Sequence, residues 1–486
     1  MLLHKLLENI YCGSFPDVFK EIDITSICSD SREVQKGSLF IALKGYHVDG
    51  ISFIEDAIEK GARVIVTEAQ TDYKSKSSDI CFLKTEDPQG FLAKILMRFY
   101  QTPWEKIKII GVTGTNGKTT ITYLLESILT CVRKSCGVIG TVNHRFGNKV
   151  IPADNTTPGL VDNYQYISDM VGQKIEYCVM EVSSHALTQR RVEGIDFNVA
   201  VFTNLTQDHL DYHKNLNDYF LAKSLLFKNL SPDAIALINH DDSYAEELFS
   251  LSQGKIKTYG IKKDSSIMAK DIILSLAGST FNLITEGEQI SIRTNLIGRH
   301  NIYNILAAVG VCFYEGISLQ KIKEGIEHLV GVPGRLERIQ CGQDFNVFID
   351  YAHTEDALKN ILSSIREVCS GRIVLVFGCG GDRDQDKRPK MGKIACDMAD
   401  DVIVTSDNPR TEDPKAIIDG IVRGITKKNY TVVLNRIEAI HLALDIAQAG
   451  NTVLIVGKGH EDYQILKDKK IDFNERQIIE EYLRLR

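Results

Sequence analysis

The sequence predicts an α/β protein of three domains. These are a smaller N-terminal α/β domain (residues 1–105), a central P-loop-type domain with a mostly parallel sheet (106–334), and a C-terminal Rossmann-like α/β domain (335–486). Three observations carry that reading. A chain of 486 residues has room for about three domains of ~150 residues each. From residue 106 onward, short apolar β-branched runs alternate with helical stretches, the rhythm of parallel strands joined by crossover helices. Residues 107–122 then join an apolar strand to a helix through a glycine turn suited to phosphate.

That stretch organises the rest. Ile107, Ile109, Ile110 and Val112 read as a buried strand, and Thr119 onward reads as a helix. Between and just after them run Gly114, Thr115, Asn116, Gly117, Lys118, Thr119 and Thr120. The glycines let backbone approach a ligand without Cβ interference. The helix N-terminus offers N–H groups and a positive dipole end to a phosphate. Lys118 can reach the outer phosphates, and the Thr119 hydroxyl suits Mg²⁺. Val112 stands where the strict G-x-x-x-x-G-K-T pattern has glycine. The reading is an ATP site.

Composition excludes several classes. The chain is 43% hydrophobic and 25% charged with only 10 Pro, an ordinary globular balance. A net charge of -7 argues against a broad nucleic-acid surface, which needs a basic face. Eleven Cys, an odd number with no C-x-x-C pair, argue against a disulfide framework and a Cys-rich zinc site. The N-terminus lacks a signal-peptide apolar run, and no stretch approaches the ~18 apolar residues of a membrane span. The expectation is a monomeric cytoplasmic protein with neither a nucleic-acid nor a membrane partner.

In chain order, residues 24–30, 38–43 and 62–67 read as strands and 51–60 as a helix. Two polar clusters follow strand-like runs and are candidate binding loops: Ser29-Asp30-Ser31-Arg32 and Gly45-Tyr46-His47-Val48-Asp49-Gly50. In the central domain, strands are expected at 176–182, 198–203 and 234–239, with helices at 119–130, 217–227 and 300–314. Ligands of such sheets bind at the carboxyl ends of strands. Those ends carry Glu181-Val-Ser183-Ser184-His185 and Asn204-Leu-Thr206-Gln-Asp208-His209. Glu181 and His209, each read as ending a strand, are suitable divalent-metal ligands beside a triphosphate.

Gly331-Val-Pro-Gly334 reads as a hinge into the last domain. Strands there are expected at 347–349, 373–377, 402–405, 432–434 and 453–456. Their polar ends include Asp350-Tyr-Ala-His353, Gly378-Cys-Gly-Gly-Asp382-Arg383, Asp407-Asn408-Pro409-Arg410 and Gly457-Lys-Gly-His460-Glu461, which together describe a second site. Arg410 can grip a carboxylate bidentately, Arg383 offers a second cation, and Glu461 with Gly457 can hold an ammonium.

Taken together these motifs resemble the Mur ligase family, the ATP-dependent amide ligases of peptidoglycan synthesis. The matching segments are Thr-Gly-Thr-Asn-Gly-Lys-Thr (113–119), Asn155-Thr156-Thr157-Pro158, Met-Glu-Val-Ser-Ser-His (180–185) and Asn-Leu-Thr-Gln-Asp-His-Leu-Asp (204–211). Further on come Gly-Arg-His-Asn-Ile-Tyr-Asn (298–304), Gly-Arg-Leu-Glu (334–337), Asp-Tyr-Ala-His-Thr (350–354) and Asp-Asn-Pro-Arg (407–410). The resemblance is strongest to members that add diaminopimelate, since Asp-Asn-Pro-Arg marks them and lysine-adding members usually lack that Arg.

The resemblance implies ATP and Mg²⁺ as cofactors, with UDP-MurNAc-L-Ala-D-Glu and meso-diaminopimelate as substrates. It implies an acyl-phosphate path in which Lys118, Lys223, His209 and His353 are catalytic. Thr119, Glu181, His209 and Lys223 (as N6-carboxylysine, a carbamate) would hold metal. Arg335 would approach the phosphates, while Asn301 and Asp350 hold the nucleoside. The UDP-sugar peptide would contact Ser29, Ser31, Tyr46, His47, Val48, Asn155, Thr156, Thr157, Ser183, Gln189 and Arg191. Diaminopimelate would contact Arg383, Asp407, Asn408, Pro409, Arg410, Gly457 and Glu461. Glu355 replaces a proline common in relatives, and an acidic residue suits a first helical turn. L-Lysine addition, folylpolyglutamate synthesis and a non-catalytic nucleotide-gated binding protein are the alternatives.

Overall fold

Runs of Ile and Val that are buried on both faces make the strands, and the strands assemble into three separate main sheets. The computed structural model describes residues 1–45, 48–71, 73, 78–101, 103–209 and 212–485. Four parallel strands in chain order, Ser26–Cys28, Ser38–Ile41, Val64–Glu68 and Cys81–Thr85, form the first sheet. The expected 51–60 helix divides in two. Asp49 caps a 3₁₀ turn at Gly50–Phe53, and the α-helix begins only at Ile54–Glu59.

The central sheet has eleven strands with Lys108–Thr113 in its interior. That strand lies between Tyr177–Glu181 and Val199–Phe202, both parallel to it. Its side chains alternate faces. Ile109 joins the cluster of Met180, Phe202 and Phe220 on one side. Ile110 and Val112 join Leu124, Ile128, Ile305 and Ile326 on the other. Helix Lys118–Cys131 therefore leaves the carboxyl end of an interior strand, flanked by connections on either side. This is the crevice position where open α/β sheets bind ligands.

Two parts of this sheet depart from the expected rhythm. Residues 255–294 hold four strands with no intervening helix, and the last three pair antiparallel. At the opposite edge, Asn143–Phe146 and Lys149–Pro152 form an antiparallel hairpin. The alternation of half-buried residues in Gly278–Ile284 shows why: one face packs inward and one meets solvent, as antiparallel edge strands allow.

The third sheet runs Glu337–Ile339, Asn346–Asp350, Thr452–Val456, Ile373–Phe377, Asp401–Val404, Tyr430–Val432. All but the first pair parallel, so the ends at 350, 378, 405 and 457 share one edge. The strand expected at 432–434 ends at Val432 instead. Asn435 accepts from the Ile437 and Glu438 amides and starts helix Arg436–Ile446 there. Glu355 does open a helix, Glu355–Val368, with Thr354 as its cap.

Arg436 and Glu475 form a fully buried ion pair beneath this edge. Arg436 Nη1 and Nη2 also donate to the Ser406 and Val456 carbonyls at 3.2 and 2.9 Å. These carbonyls close two strands that are not neighbours. Arg436→Leu should cost about 3–5 kcal/mol in urea denaturation, because it strands a buried carboxylate. Adding Glu475→Leu should recover most of that loss.

Candidate active site

Gly114 (φ +142°) and Gly117 (φ +93°) give the phosphate-type loop its path. A Cβ at Gly114 would overlap Thr203 Oγ1, and one at Gly117 would overlap Asn304 Oδ1. The loop is pinned from the neighbouring strand end. The Thr115 amide donates to the Asn204 carbonyl at 2.8 Å, the Asn116 amide donates to Asn204 Oδ1 at 3.0 Å, and Thr203 Oγ1 donates to the Asn116 carbonyl at 2.6 Å. Thr120 is buried in the first turn of the following helix. A cradle this close to glycine backbone fits a phosphate chain.

Two lysines converge on it. Lys118 Nζ donates to the Gly114 and Thr115 carbonyls at 2.8 Å each, and Lys223 Nζ donates to the Gly114 carbonyl at 2.9 Å. Lys223 is only 2% exposed, 4.3 Å above the Tyr219 ring. Burial, and then the neighbouring Lys118 charge, hold its amine well below the usual lysine range.

Glu181 ends its strand fully buried. Its Oε2 accepts from Thr119 Oγ1 at 3.0 Å and Thr141 Oγ1 at 2.9 Å, and its Oε1 accepts from the Thr141 amide at 2.9 Å. Arg335 Nη2 reaches Thr119 Oγ1 at 3.3 Å, so the last sheet's module touches the first helical turn. One carboxylate with hydroxyl oxygens is a hard donor set that fits Mg²⁺. Among the described residues no three His, Cys, Asp or Glu side chains are clustered as a metal site.

His209 does not end a strand as expected. Its strand stops at Phe202, and His209 follows in a loop with φ +53°. Its ring is 4.8 Å from that of His185 and 6.2 Å from that of Tyr219, which also faces Lys223. Asn301 turns inward, donating to the Ile297 carbonyl and accepting from Asn304. Asp350 is buried and accepts from the Leu336 and Ala352 amides at 2.7 and 2.8 Å, bracing the 331–336 connection. Burial raises its carboxyl to about 6. His353 Nδ1 lies 2.9 Å from the Tyr351 carbonyl, and Lys387 Nζ donates to the His353 carbonyl.

A second cluster adjoins Glu181. Thr157 Oγ1 donates to the Glu181 carbonyl, Thr156 Oγ1 is 3.1 Å from Thr141 Oγ1, and Ser183 donates its amide to Thr157 Oγ1. Arg191 donates to the Thr157 carbonyl and to Gln189 Oε1. Asn155 is exposed at its margin. Ser31 is buried and Ser29 exposed, and the first sheet's module meets this cluster where Gln89 Nε2 donates to the Gln189 carbonyl at 3.4 Å and Arg190 pairs with Asp87. Val48 is exposed, and Tyr46 and His47 lie outside the described residues.

The third cluster lies on the last sheet's edge. Arg410 adopts φ +51°, held by backbone bonds to Ile465 and Lys467, and its Nη1 donates to the Gly381 carbonyl at 2.6 Å. A Cβ on Gly380 would lie 3.0 Å from Arg410 Nη1 and 3.9 Å from Arg383 Cγ, so both arginine side chains pass beside one glycine. Asp407, Asn408 and Pro409 are buried, and Gly457 has φ +119° with Asp407 Oδ2 packed against its α-carbon. Asn408 Nδ2 donates to Glu461 Oε2 at 2.8 Å.

Sequence reasoning missed Thr141, and it gave no role to Asn304 or His460, although both stand in segments that it singles out. Asn304 was findable, standing three residues after Asn301 on one helix face. The Tyr351 ring is 5.0 Å from His460, whose imidazole burial, then Arg335, push down to about 4, while the Thr141 backbone pulls it up.

A phosphate loop on one sheet, touched through Arg335 by a second sheet whose edge carries two arginines and a glutamate, defines a multidomain phosphate-loop α/β enzyme. Family comparison then places it. The Mur ligase family catalytic domain matches residues 23–100, the Mur ligase middle domain 112–312, and the Mur ligase glutamate ligase domain 334–459. The UDP-N-acetylmuramoyl-L-alanyl-D-glutamate–2,6-diaminopimelate ligase of Clostridium tetani is 45% identical over 99% of this chain and 98% of its own. The Clostridium botulinum protein of that name is 44% identical over the whole of both chains. A solved structure of a ligase so named has 32% identity and TM-score 0.71, covering 100% of this chain and 99% of its own. This chain belongs to the Mur ligase family.

Asp350 supplies a pH test. Its folded value of about 6 exceeds the unfolded ~3.9, so its contribution is fully present below pH ~4 and lost as pH rises through about 6. The stability of the wild type relative to Asp350→Asn should fall by about 2 kcal/mol between pH 4 and 7 in urea titrations.

Proposed function

We propose that this chain adds meso-2,6-diaminopimelate to UDP-N-acetylmuramoyl-L-alanyl-D-glutamate with ATP, in cytoplasmic peptidoglycan precursor synthesis. The supporting observation is the placement of Arg410 and Arg383 side chains beside Gly380, on an edge whose module also contacts the phosphate-loop helix through Arg335. Residues 1–105 bind the UDP-sugar end, 106–334 bind ATP, and 335–486 bind the amino acid.

The D-glutamyl γ-carboxylate attacks the γ-phosphorus of ATP, releasing ADP and leaving an acyl phosphate. The diaminopimelate amine then displaces phosphate to form the amide. Lys118 and Arg335 counter the charge of the phosphates, with backbone amides of residues 114–120. Thr119, Glu181 and carbamylated Lys223, with His209 beside them, would hold Mg²⁺, which supplies positive charge where an anion attacks a polyanion. A neutral amine is the form that adds to CO₂, and burial favours that form at Lys223. Asn155, Thr156, Thr157, Ser183, Gln189 and Arg191 hold the peptide, whose nucleotide end lies toward Ser29, Ser31 and Val48. Asn301 and Asp350 flank the nucleoside, and His353 the acyl-phosphate site.

Diaminopimelate differs from lysine by a carboxylate on the distal carbon. Arg410, with Arg383 nearby, pairs that group, while Glu461 and the Gly457 carbonyl take the distal ammonium and Asp407, Asn408 and Pro409 shape the loop. Lysine would leave a guanidinium unpaired in a closed cleft. Polar sites of this kind reject the deficient analogue by roughly 10⁴-fold or more.

Lys118→Ala should lower kcat at least ~10²-fold with an unchanged melting temperature, as loss of a preorganised phosphate contact requires. Near wild-type turnover would refute the loop's role. Assayed with the UDP-sugar dipeptide, meso-diaminopimelate should be used and L-lysine refused, with Arg410→Lys narrowing the gap by weakening diaminopimelate. Comparable efficiencies in the wild type would instead favour the lysine-adding reading. Carbon-13 bicarbonate should give a carbamate NMR signal that Lys223→Ala lacks.

A further inference from the structure

The 457–461 loop carries a lysine that no step above uses. Lys458 is completely buried. Its Nζ donates to Asn408 Oδ1 and to Glu461 Oε2, at 3.0 Å each. The rings of Tyr463 and Phe473 lie 5.5 and 5.9 Å from it. Asn408 Nδ2 donates to the same Glu461 oxygen at 2.8 Å, closing a triangle between two loops that leave different strands.

An ammonium only donates, so Lys458 fixes which way the Asn408 amide points. Oδ1 must face Lys458, where it also accepts from the Ile465 amide at 3.0 Å, and Nδ2 is left to face Glu461. Glu461 Oε2 is thereby taken by two donors. Its Oε1 has no protein donor among the described residues, and the side chain is 16% exposed. One carboxylate oxygen is locked inward and the other is left for a ligand. Behind the triangle, Arg436 ties the Ser406 and Val456 carbonyls, so both loop roots are fixed as well.

A distal carbon bearing a carboxylate, an ammonium and a chain has a handedness that two fixed contacts plus the chain can read. Reading it requires a constant separation between the guanidinium of Arg410 and the free oxygen of Glu461. The 407–410 loop carries the first and the 457–461 loop the second, and Lys458 is the charge shared between them. We propose that Lys458 is a positioning residue that sets stereospecificity at the distal carbon. It holds Glu461 in register with Arg410, so that meso-diaminopimelate is chosen over its L,L isomer. The inference rests on the assignment of these two loops to the amino-acid substrate.

The test compares wild type, Lys458→Met and Lys458→Gln in steady-state ligation with each isomer, with Arg410→Ala as the control arm. Lys458→Met should raise KM for meso-diaminopimelate roughly tenfold and cut the meso-over-L,L efficiency ratio by at least about tenfold. KM for ATP and for the UDP-sugar dipeptide should stay within about twofold, a split that general loosening of the fold would not give. Should Lys458→Met fail to fold, Lys458→Gln carries the test. It keeps a shorter, neutral NH₂ donor and loses the charge, and the ratio should still fall by about threefold or more. An unchanged isomer ratio in the folded variants, with Arg410→Ala still raising KM for diaminopimelate, would overturn the role of Lys458 alone. If Arg410→Ala also left that KM unchanged, the loop assignment itself would fall.

Discussion

A single buried carboxylate ties the site together. Glu181 sits at the end of an interior strand with three donors on its two oxygens, one from the phosphate-loop helix and two from Thr141 on the neighbouring connection. Its own carbonyl accepts from Thr157, which in turn orders Ser183 and Arg191. Thr119, bonded to Glu181, is also the point reached by Arg335 from the last module. The phosphate-loop helix, the Thr141 connection and, through Thr119, the last module are therefore linked at this residue. A buried carboxylate left unpaired costs several kcal/mol.

Positive charge is handled in the opposite way. Lys118 and Lys223 both point at the Gly114 carbonyl, and the Lys118 charge disfavours the charged form of Lys223. A site built for polyanions must concentrate cations before the ligand arrives, and backbone carbonyls hold them meanwhile. Burial relieves the strain at Lys223 by favouring its neutral form, the form open to addition of CO₂.

The loop cluster on the last sheet's edge follows from sheet order. Thr452–Val456 inserts between Asn346–Asp350 and Ile373–Phe377, so a loop late in the chain stands among loops that precede it by a hundred residues. Parallel pairing forces all of these loops onto the same edge. Arg436 then fixes the roots of two of them from below, and its charge is tolerated because Glu475 is buried beside it.

The sequence by itself determined the strand–loop–helix unit at 107–131, most parallel strands and the polar loops that end them. These features are local: β-branched runs, glycine turns and caps act over a few residues. It also named Lys118, Glu181, Arg410 and Glu461 through the residue types that such chemistry needs. Only the tertiary structure decided that residues 255–294 form a mostly antiparallel edge, because apolar runs there do not reveal which strand they will pair with. It also decided that His209 lies in a loop, that Thr141 bonds Glu181 while Asn304 packs against Gly117, and that Lys458 joins two loops. Each of those depends on contacts between segments distant in sequence, and hydrophobic periodicity carries no record of which distant polar groups will meet once the sheets have closed.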